Sequence, residues 1–535
     1  MTKFLRKANV WVLGTTILAA AATVNAQQAQ TPDQVLAPPA ARPQPDRYVV
    51  GQARPVPPAG SQVIDLTLEQ ATDLALEKNL DLKAQRLAPQ AVDYQLQAAR
   101  AAFNPRFTTS YNYNNSSQPN NSTLETGLTT ISTKRQTYNG SVNETLPWHG
   151  MGYTVSFNNN RTASNQVTSL LNPNYSATLQ ASFSMPLLAG FKIDQTRNSL
   201  RTTTIQRQIA DIQLQASIEN TKASVRTAYW NLRQAIEQIE INQRALDLAN
   251  RLFEDNKIKV EIGTMAPIDT TQSESAVATS EQQLLAARIS WQTAELALKR
   301  LLASGPEDDI YKQTLNPTER AAISVQAADI PSAVTTALAE RTDLVQSRKN
   351  IESSRLGLEL TKDQTKPQLD LTSNYNLAGQ GGQRLVQGVR QEGGYRDALG
   401  QIGSVTNPTW TLGFNFTYPL GMAAAKANYA RASIQMDQSL AQLKAQELNV
   451  SQEVTNAGLA VENSYKQYLA AQKSREAQDK NAEAQQTRFD VGMSTNYEVV
   501  QALQNQTSAR LSELRSIITY MNAVAEFERV QRVGR

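Results

Sequence analysis

The strongest constraint on this chain is a stretch of 71 residues, 192–262, that contains neither proline nor glycine. As one α-helix it would be about 105 Å long. Its apolar residues recur at the three- and four-residue spacing typical of coiled-coil seams. They are Val225, Ala228, Leu232, Ala235, Ile239, Leu246, Ala249 and Phe253. A globular core does not need so long a helix, and the sequence therefore predicts an elongated helical protein.

The sequence also matches itself. Shifted by 262 positions, Ala71 falls on Ala333 and Pro105 on Pro367; shifted by 229 positions, Val225 falls on Val454. Internal similarity of this kind indicates two tandem structural repeats. We assign the first repeat to 63–303, an equatorial linker to 304–329 and the second repeat to 330–535. The predicted helices are 66–102, 192–262, 267–303, 333–366, 423–491 and 496–532.

Between these helices lie segments in which apolar and polar residues alternate. Residues 177–185 and 410–418 keep period two over about nine residues, as transmembrane β-strands do. A half-buried soluble sheet gives the same alternation. The predicted strands are 105–114, 136–146, 152–161, 175–185, 367–377 and 409–419, the last two joined by a glycine-rich loop. Whether the extra hairpin at 136–161 would enter a membrane barrel or fold outside it stays open, since Glu144 interrupts its apolar face.

The N-terminus predicts export. Lys3, Arg6 and Lys7 precede a short apolar run, and a small-x-small site ends at Ala26. This is the pattern of a signal peptide, which we assign to 1–26, and it tips the strand prediction towards an outer membrane. Residues 27–62 are rich in proline and predict a disordered leader.

Composition excludes several classes of function. The chain has no cysteine, one histidine (His149) and a net charge of +4. We therefore expect no catalytic site, metal site, cofactor or nucleic-acid partner. His149 is interpreted as a turn residue. The chain contains no internal run of about 18 apolar residues, and no internal transmembrane helix is therefore predicted.

The two turns after the long helices share a pattern: an aliphatic residue, a glycine, and an acid six residues after the glycine. Gly263 and Gly492 suit the left-handed position that ends a helix. Pro267 suits the first turn of the next helix, and Thr495 with Glu498 fits a capping box.

These features together resemble the outer-membrane efflux protein family, the TolC type. The resemblance implies a mixed α+β membrane protein: a trimeric transmembrane β-barrel continued by a long periplasmic α-helical coiled-coil tunnel, with two tandem repeats per chain. It implies an outer-membrane exit duct, not an enzyme, that passes small molecules such as drugs, metals or other toxic compounds. The implied partners are two more copies of the chain, outer-membrane lipid, a periplasmic adaptor, and an inner-membrane pump of RND or ABC type.

The resemblance also implies roles for the two turns. The adaptor-docking tips would be Ile262, Gly263, Thr264, Met265, Val491, Gly492, Met493 and Ser494. We expect Met265 and Met493 to be exposed. Asp269, Phe489 and Glu498 would form the periplasmic entrance, although for the two acids helix-start electrostatics is an equal alternative. Ser494 stands where the best-known members have an arginine that helps to lock the gate, and the gating network therefore departs from theirs.

Three other functions share some of these features. Type I protein secretion uses the same kind of duct, and the sequence does not separate it from small-molecule efflux. A trimeric coiled-coil stalk or adhesin would place one strand domain at the C-terminus, whereas this chain ends in a predicted helix. An enzyme would need a nucleophile–base pair, a phosphate loop or a metal cluster, and none is apparent.

Overall fold

A computed structural model describes residues 53–55, 62–120, 127–166, 168–320, 323, 328–386 and 389–534. The predicted signal peptide, most of the leader and part of the linker lie outside these residues. Within them, no helix combines the length and the apolar character needed to cross a lipid bilayer.

The described chain alternates groups of helices with groups of strands. The helices are α1 (Leu68–Lys78), α2 (Leu80–Ala101), α3 (Gln195–Glu261), α4 (Pro267–Leu302), α5 (Ile330–Glu340), α6 (Thr342–Asp363), α7 (Tyr395–Gly403), α8 (Ala423–Asp490) and α9 (Asn496–Arg532). The strands are β1 (Val63–Leu66), β2 (Arg106–Pro119), β3 (Thr130–Thr145), β4 (Gly152–Ser164), β5 (Leu171–Pro186), β6 (Thr314–Pro317), β7 (Gln368–Val386), β8 (Val389–Gln391) and β9 (Pro408–Thr417).

The long helices are confirmed. Helix α3 has 67 residues and α8 has 68, so each spans about 100 Å. Helix α3 packs along α4 and α9, and α8 packs along α9. Of the predicted α3 seam, Val225, Leu232, Ala235 and Ala249 are buried and the other four positions are half-buried.

The predictions of unbroken helices at 66–102 and 333–366 were wrong. The first breaks at Asn79, whose extended backbone (ψ 123°) separates α1 from α2. The Asn79 side chain accepts a hydrogen bond from the N–H of Leu82 and donates one to the carbonyl of Leu301. The second breaks at Arg341, which pairs with Asp343 and Glu453. The Asn79 side chain thus caps α2, whereas Arg341 ties the second break to α8 through Glu453.

The long strands form one antiparallel sheet in the order β2-β3-β4-β5-β7-β9, and the short β8 pairs with the far end of β7. The predicted strands are thereby confirmed, and the hairpin β3–β4 is a continuous part of the sheet. A second, two-stranded parallel sheet joins β1 to β6.

The predicted glycine-rich loop between the last two strands was wrong in part. Strand β7 continues to Val386, and Gly379 lies within it. A Cβ atom at Gly379 would stand 1.9 Å from the carbonyl oxygen of Ala398, because α7 lies directly against the strand there. Glycine is needed at that position for the close approach of the helix, not for loop flexibility.

Candidate functional site

The two turns that follow α3 and α8 are built alike. Gly263 (φ +74°) and Gly492 (φ +75°) adopt the predicted left-handed conformation. The N–H of Thr264 donates to the carbonyl of Lys259 over 2.9 Å, and the N–H of Met493 donates to that of Arg488 over 2.8 Å. The glycine N–H groups close the inner ring of each turn, which completes two Schellman motifs. Both helices therefore end in the same rigid turn.

Apolar side chains project from both turns. Ile262 is 68% exposed, Val491 66% and Met493 78%. Met265 is half-buried, and the expectation that it would be exposed was wrong. It packs instead against the buried cluster of Leu252, Phe489 and Val499. The second tip thus presents more apolar surface than the first.

Phe489 belongs to that cluster and is only 8% exposed. It joins α8 to α3 and α9, because its neighbours Leu252 and Val499 lie on those helices. The ammonium of Lys259 lies 4.2 Å from the centroid of its ring, a cation–π contact. In the single chain Phe489 therefore holds the two tips together, and its role in a gate stays a proposal.

A buried polar cluster that the sequence did not predict also joins the tips. The amide of Asn256 donates to Ser273 Oγ over 2.6 Å and to Asn496 Oδ1 over 2.8 Å. The Asn496 amide donates to the Asp269 carbonyl over 3.0 Å. These bonds link α3, α4 and α9. The available signal was an asparagine inside a helix, a position where it is disfavoured unless its side chain has partners.

The two acids of the predicted entrance have different surroundings. Asp269 is half-buried, and its main-chain carbonyl accepts the hydroxyl of Ser273 over 2.8 Å. Glu498 is exposed and forms the predicted capping box with Thr495, whose N–H donates to Glu498 Oε2 over 2.9 Å. Ser494 donates to the same oxygen over 2.7 Å. The residue in place of the expected arginine therefore supports the cap.

These hydrogen bonds predict a pH dependence at the second tip. Donation from Thr495 and Ser494 to the carboxylate lowers the pKa of Glu498. Because the folded pKa lies below the unfolded one, the stabilisation is present above the unfolded pKa and is lost as pH falls through the folded pKa. We expect amide hydrogen exchange at 491–498, corrected for intrinsic rates, to accelerate below about pH 4.5. Glu498→Gln, which keeps a capping-box side chain, should remove this pH dependence; an unchanged profile in that variant would contradict the assignment.

The described residues contain no group of three or more histidine, cysteine, aspartate or glutamate side chains placed to hold a metal ion. What the two tips provide is structural: rigid turns, exposed aliphatic side chains and carboxylates beside helix N-termini.

Comparison with known proteins identifies the class. The profile of the outer membrane efflux protein family matches residues 71–149, 150–304 and 333–526, which is most of the chain. The chain belongs to this family, which consists of channels and not of enzymes. The resemblance to the outer-membrane efflux protein family, inferred from the sequence, is confirmed.

Solved structures of outer-membrane channels share the fold. The CmeC outer membrane channel of Campylobacter jejuni is 18% identical, with a TM-score of 0.61 over 87% of this chain and 85% of that one. The outer membrane protein VceC of Vibrio cholerae is 14% identical, with a TM-score of 0.62 over 87% and 95%. The MtrE outer membrane channel of Neisseria gonorrhoeae, in its open state, is 18% identical, with a TM-score of 0.57 over 91% and 97%.

Proposed function

We propose that this chain is the outer-membrane exit duct of a tripartite export system that passes small molecules to the cell exterior. The observation that carries the proposal is a sheet whose six long strands have one mainly apolar and one polar face, attached to helices about 100 Å long. A sheet of that kind suits a membrane wall around an aqueous lumen. Helices of that length suit a tunnel that continues it through the periplasm.

The duct is a homotrimer in this proposal. Among the six long strands of one copy, β2 and β9 lie at the edges of the sheet, each paired on one side only. Open edges are not tolerated in lipid, because their peptide groups lack hydrogen-bond partners there. Three copies, with two tandem repeats each, close one barrel in the outer membrane of a Gram-negative-type bacterium. The signal peptide 1–26 directs the chain there, and the leader 27–62 and linker 304–329 flank the first repeat.

The tips dock a periplasmic adaptor, which connects the duct to an inner-membrane pump of RND or ABC type. The support is the exposed apolar surface of Ile262, Val491 and Met493 on rigid turns. Methionine in particular adapts to varied apolar partners. Gly263 and Gly492 set the turn geometry, and Thr264, Met265 and Ser494 complete the tips.

Asp269, Phe489 and Glu498 surround the periplasmic entrance in this proposal. Three copies of each acid would form rings of negative charge, which favour cations. The two acids lie next to the tip turns, in the first turns of α4 and α9, and this location supports the role.

The entrance is tested by planar-bilayer recording of the purified duct. We expect cation-selective conductance steps, and a several-fold lower cation-to-anion permeability ratio in the double variant Asp269→Asn with Glu498→Gln. These substitutions remove charge but keep hydrogen-bonding side chains. The control is Glu359→Gln, an exposed carboxylate on α6. Absence of any conductance would contradict the duct, and an equal change in the control would contradict the entrance rings.

A further inference from the structure

The hairpin β3–β4 is hydrogen-bonded into the sheet on both sides. Strand β3 pairs with β2 from Arg106↔Asn143 to Pro119↔Thr130, and β4 pairs with β5 from Gly152↔Ser184 to Thr162↔Asn174. Neither ladder contains a register shift. Strand β2 reaches the rest of the sheet only through this hairpin. Removing the hairpin from the wall would therefore require a new pairing of β2 with β5.

The hairpin also continues the two faces of the sheet. The register places apolar residues of all six long strands on one side, where one apolar row crosses the whole sheet. One row is Phe107, Val142, Val155, Ala181, Tyr375 and Trp410. The opposite side has rows such as Thr108, Ser141, Ser156, Gln180, Asn376 and Thr409. A slip of one residue would reverse every side chain of a strand, so the hairpin keeps the register that puts its apolar residues on the same side as those of the other four long strands.

Two charged residues on the apolar side of the hairpin lie where an apolar band would end, and a third, Arg161, pairs with Gln136 two residues inside that limit. Glu144 and Lys134 stand on the apolar side of β3, ten residues apart. At about 3.4 Å per residue and a tilt of about 40°, they are separated by about 26 Å along the membrane normal, close to the height of the apolar band of such barrels. Glu144 accepts a hydrogen bond from the hydroxyl of Tyr153. Arg161 donates to the Tyr175 hydroxyl over 3.2 Å. These charges are thus compatible with insertion.

The two edges of the sheet suit closure with further copies. Strand β2 runs away from the helices and β9 runs back towards them, since the six strands alternate in direction. The β9 edge of one copy can therefore pair antiparallel with the β2 edge of the next. Each edge strand therefore pairs with the edge strand of a second copy of this chain.

We infer that the hairpin β3–β4 is part of the membrane wall, and that three copies close an eighteen-stranded barrel. This rests on the proposed homotrimeric duct. With the hairpin outside the wall, the barrel would have twelve strands. With strands about 4.8 Å apart and tilted by about 40°, an eighteen-stranded barrel has a backbone-to-backbone diameter of about 36 Å. A twelve-stranded barrel has a diameter of about 24 Å. The wider wall admits bulkier export substrates at the outer membrane.

Disulfide crosslinking in outer-membrane fractions tests the inference. The natural chain has no cysteine, so introduced thiols have no competitors. Paired residues on neighbouring strands lie within disulfide range. We expect two pairs to crosslink within one chain: Thr108→Cys with Ser141→Cys, and Ser156→Cys with Gln180→Cys. The matched pair Thr108→Cys with Gln180→Cys should not crosslink. If that third pair forms in place of the first two, β2 pairs with β5 and the inference is overturned.

A separate crosslink tests the trimer. Thr108→Cys is combined in turn with cysteine at Thr409, Thr411, Gly413 and Asn415, which lie on the same side of β9. We expect covalent dimers and trimers with one or two of these partners. Their absence while the intrachain pairs form would contradict the trimeric duct, which separates that failure from failure of the strand count.

Deletion of residues 130–164 gives an independent measurement. It removes β3 and β4, and β2 remains antiparallel to β5. We expect electron-microscope projections of the purified trimer to show a barrel diameter reduced by about one third. An intact trimer of unchanged diameter would contradict the inference. If the deletion variant does not fold, the crosslinks in the full-length chain still decide.

Discussion

A chain carrying Gly492→Asp is expected to lose adaptor-dependent export while still forming the trimer. Gly492 lies between Val491 and Met493, the most exposed apolar residues of the second tip. No atom lies within 4 Å of a Cβ added there, so the side chain fits. Its left-handed backbone costs on the order of 1 kcal/mol, and aspartate tolerates it better than most residues. A carboxylate buried without a partner in the docked interface weakens binding more than tenfold.

The measurement compares substrate accumulation in cells with the amount of trimer in outer-membrane fractions. Gly492→Asn is the matched control, because asparagine adopts the same backbone and adds no charge. It should retain most export. Gly263→Asp, at the equivalent turn, should act in the same direction as Gly492→Asp. Full export by an intact Gly492→Asp trimer would contradict docking at this tip.

The second large effect is expected at a buried ion pair in the middle of α3. Arg233 and Glu237 have side chains that are 5% and 0% exposed. Arg233 also donates to the carbonyls of Ala53 over 3.1 Å and of Pro317 over 2.9 Å, and Glu237 accepts the N–H of Ala53 over 3.3 Å. The pair thus holds Ala53 of the proline-rich leader, and Pro317 of β6, against the helix.

Glu237→Leu should destabilise the fold by about 3–5 kcal/mol, because it leaves the Arg233 charge buried without its partner. The double variant with Arg233→Met should recover part of that loss. The matched control is Glu240→Leu on the same helix, since Glu240 pairs with Arg244 at 35% and 41% exposure. A half-exposed pair of this kind contributes at most about 0.5 kcal/mol. The free energy of unfolding in detergent is measured for Glu237→Leu, the double variant and Glu240→Leu. Equal effects of Glu237→Leu and Glu240→Leu would contradict the assigned role of the buried ion pair.

Local signals predicted the elements that depend on local chemistry. Helix α9 runs over the predicted 496–532 because a capping box fixes its start. The turn at Gly492 was predicted from glycine's tolerance of positive φ. The helix breaks at Asn79 and Arg341 were missed because apolar residues continue on both sides of each. Their partners on other helices, Leu301 and Glu453, lie more than about 100 residues away.

The sequence did not predict which strands are neighbours in the sheet or which helices contact one another. The alternation in β3 and β4 predicted two strands but not their neighbours in the sheet. Their place between β2 and β5 depends on hydrogen bonds across the sheet, which no local pattern specifies. At the tips, too, local contacts were predicted and contacts between helices were missed. Glu498 and Thr495 were predicted as a cap, whereas the contacts of Asn256 with Ser273 and Asn496 join three helices and were missed.

The most direct test of the proposed duct is site-specific photo-crosslinking in cells at Met493, with the captured protein identified by mass spectrometry. The control position is Leu459, an exposed residue in the middle of α8. We predict capture of a periplasmic adaptor by the Met493 probe but not by the Leu459 probe. A Met493 probe that captures no periplasmic protein, in a chain that is intact and trimeric in the outer membrane, would contradict the tips as the docking site of an export system.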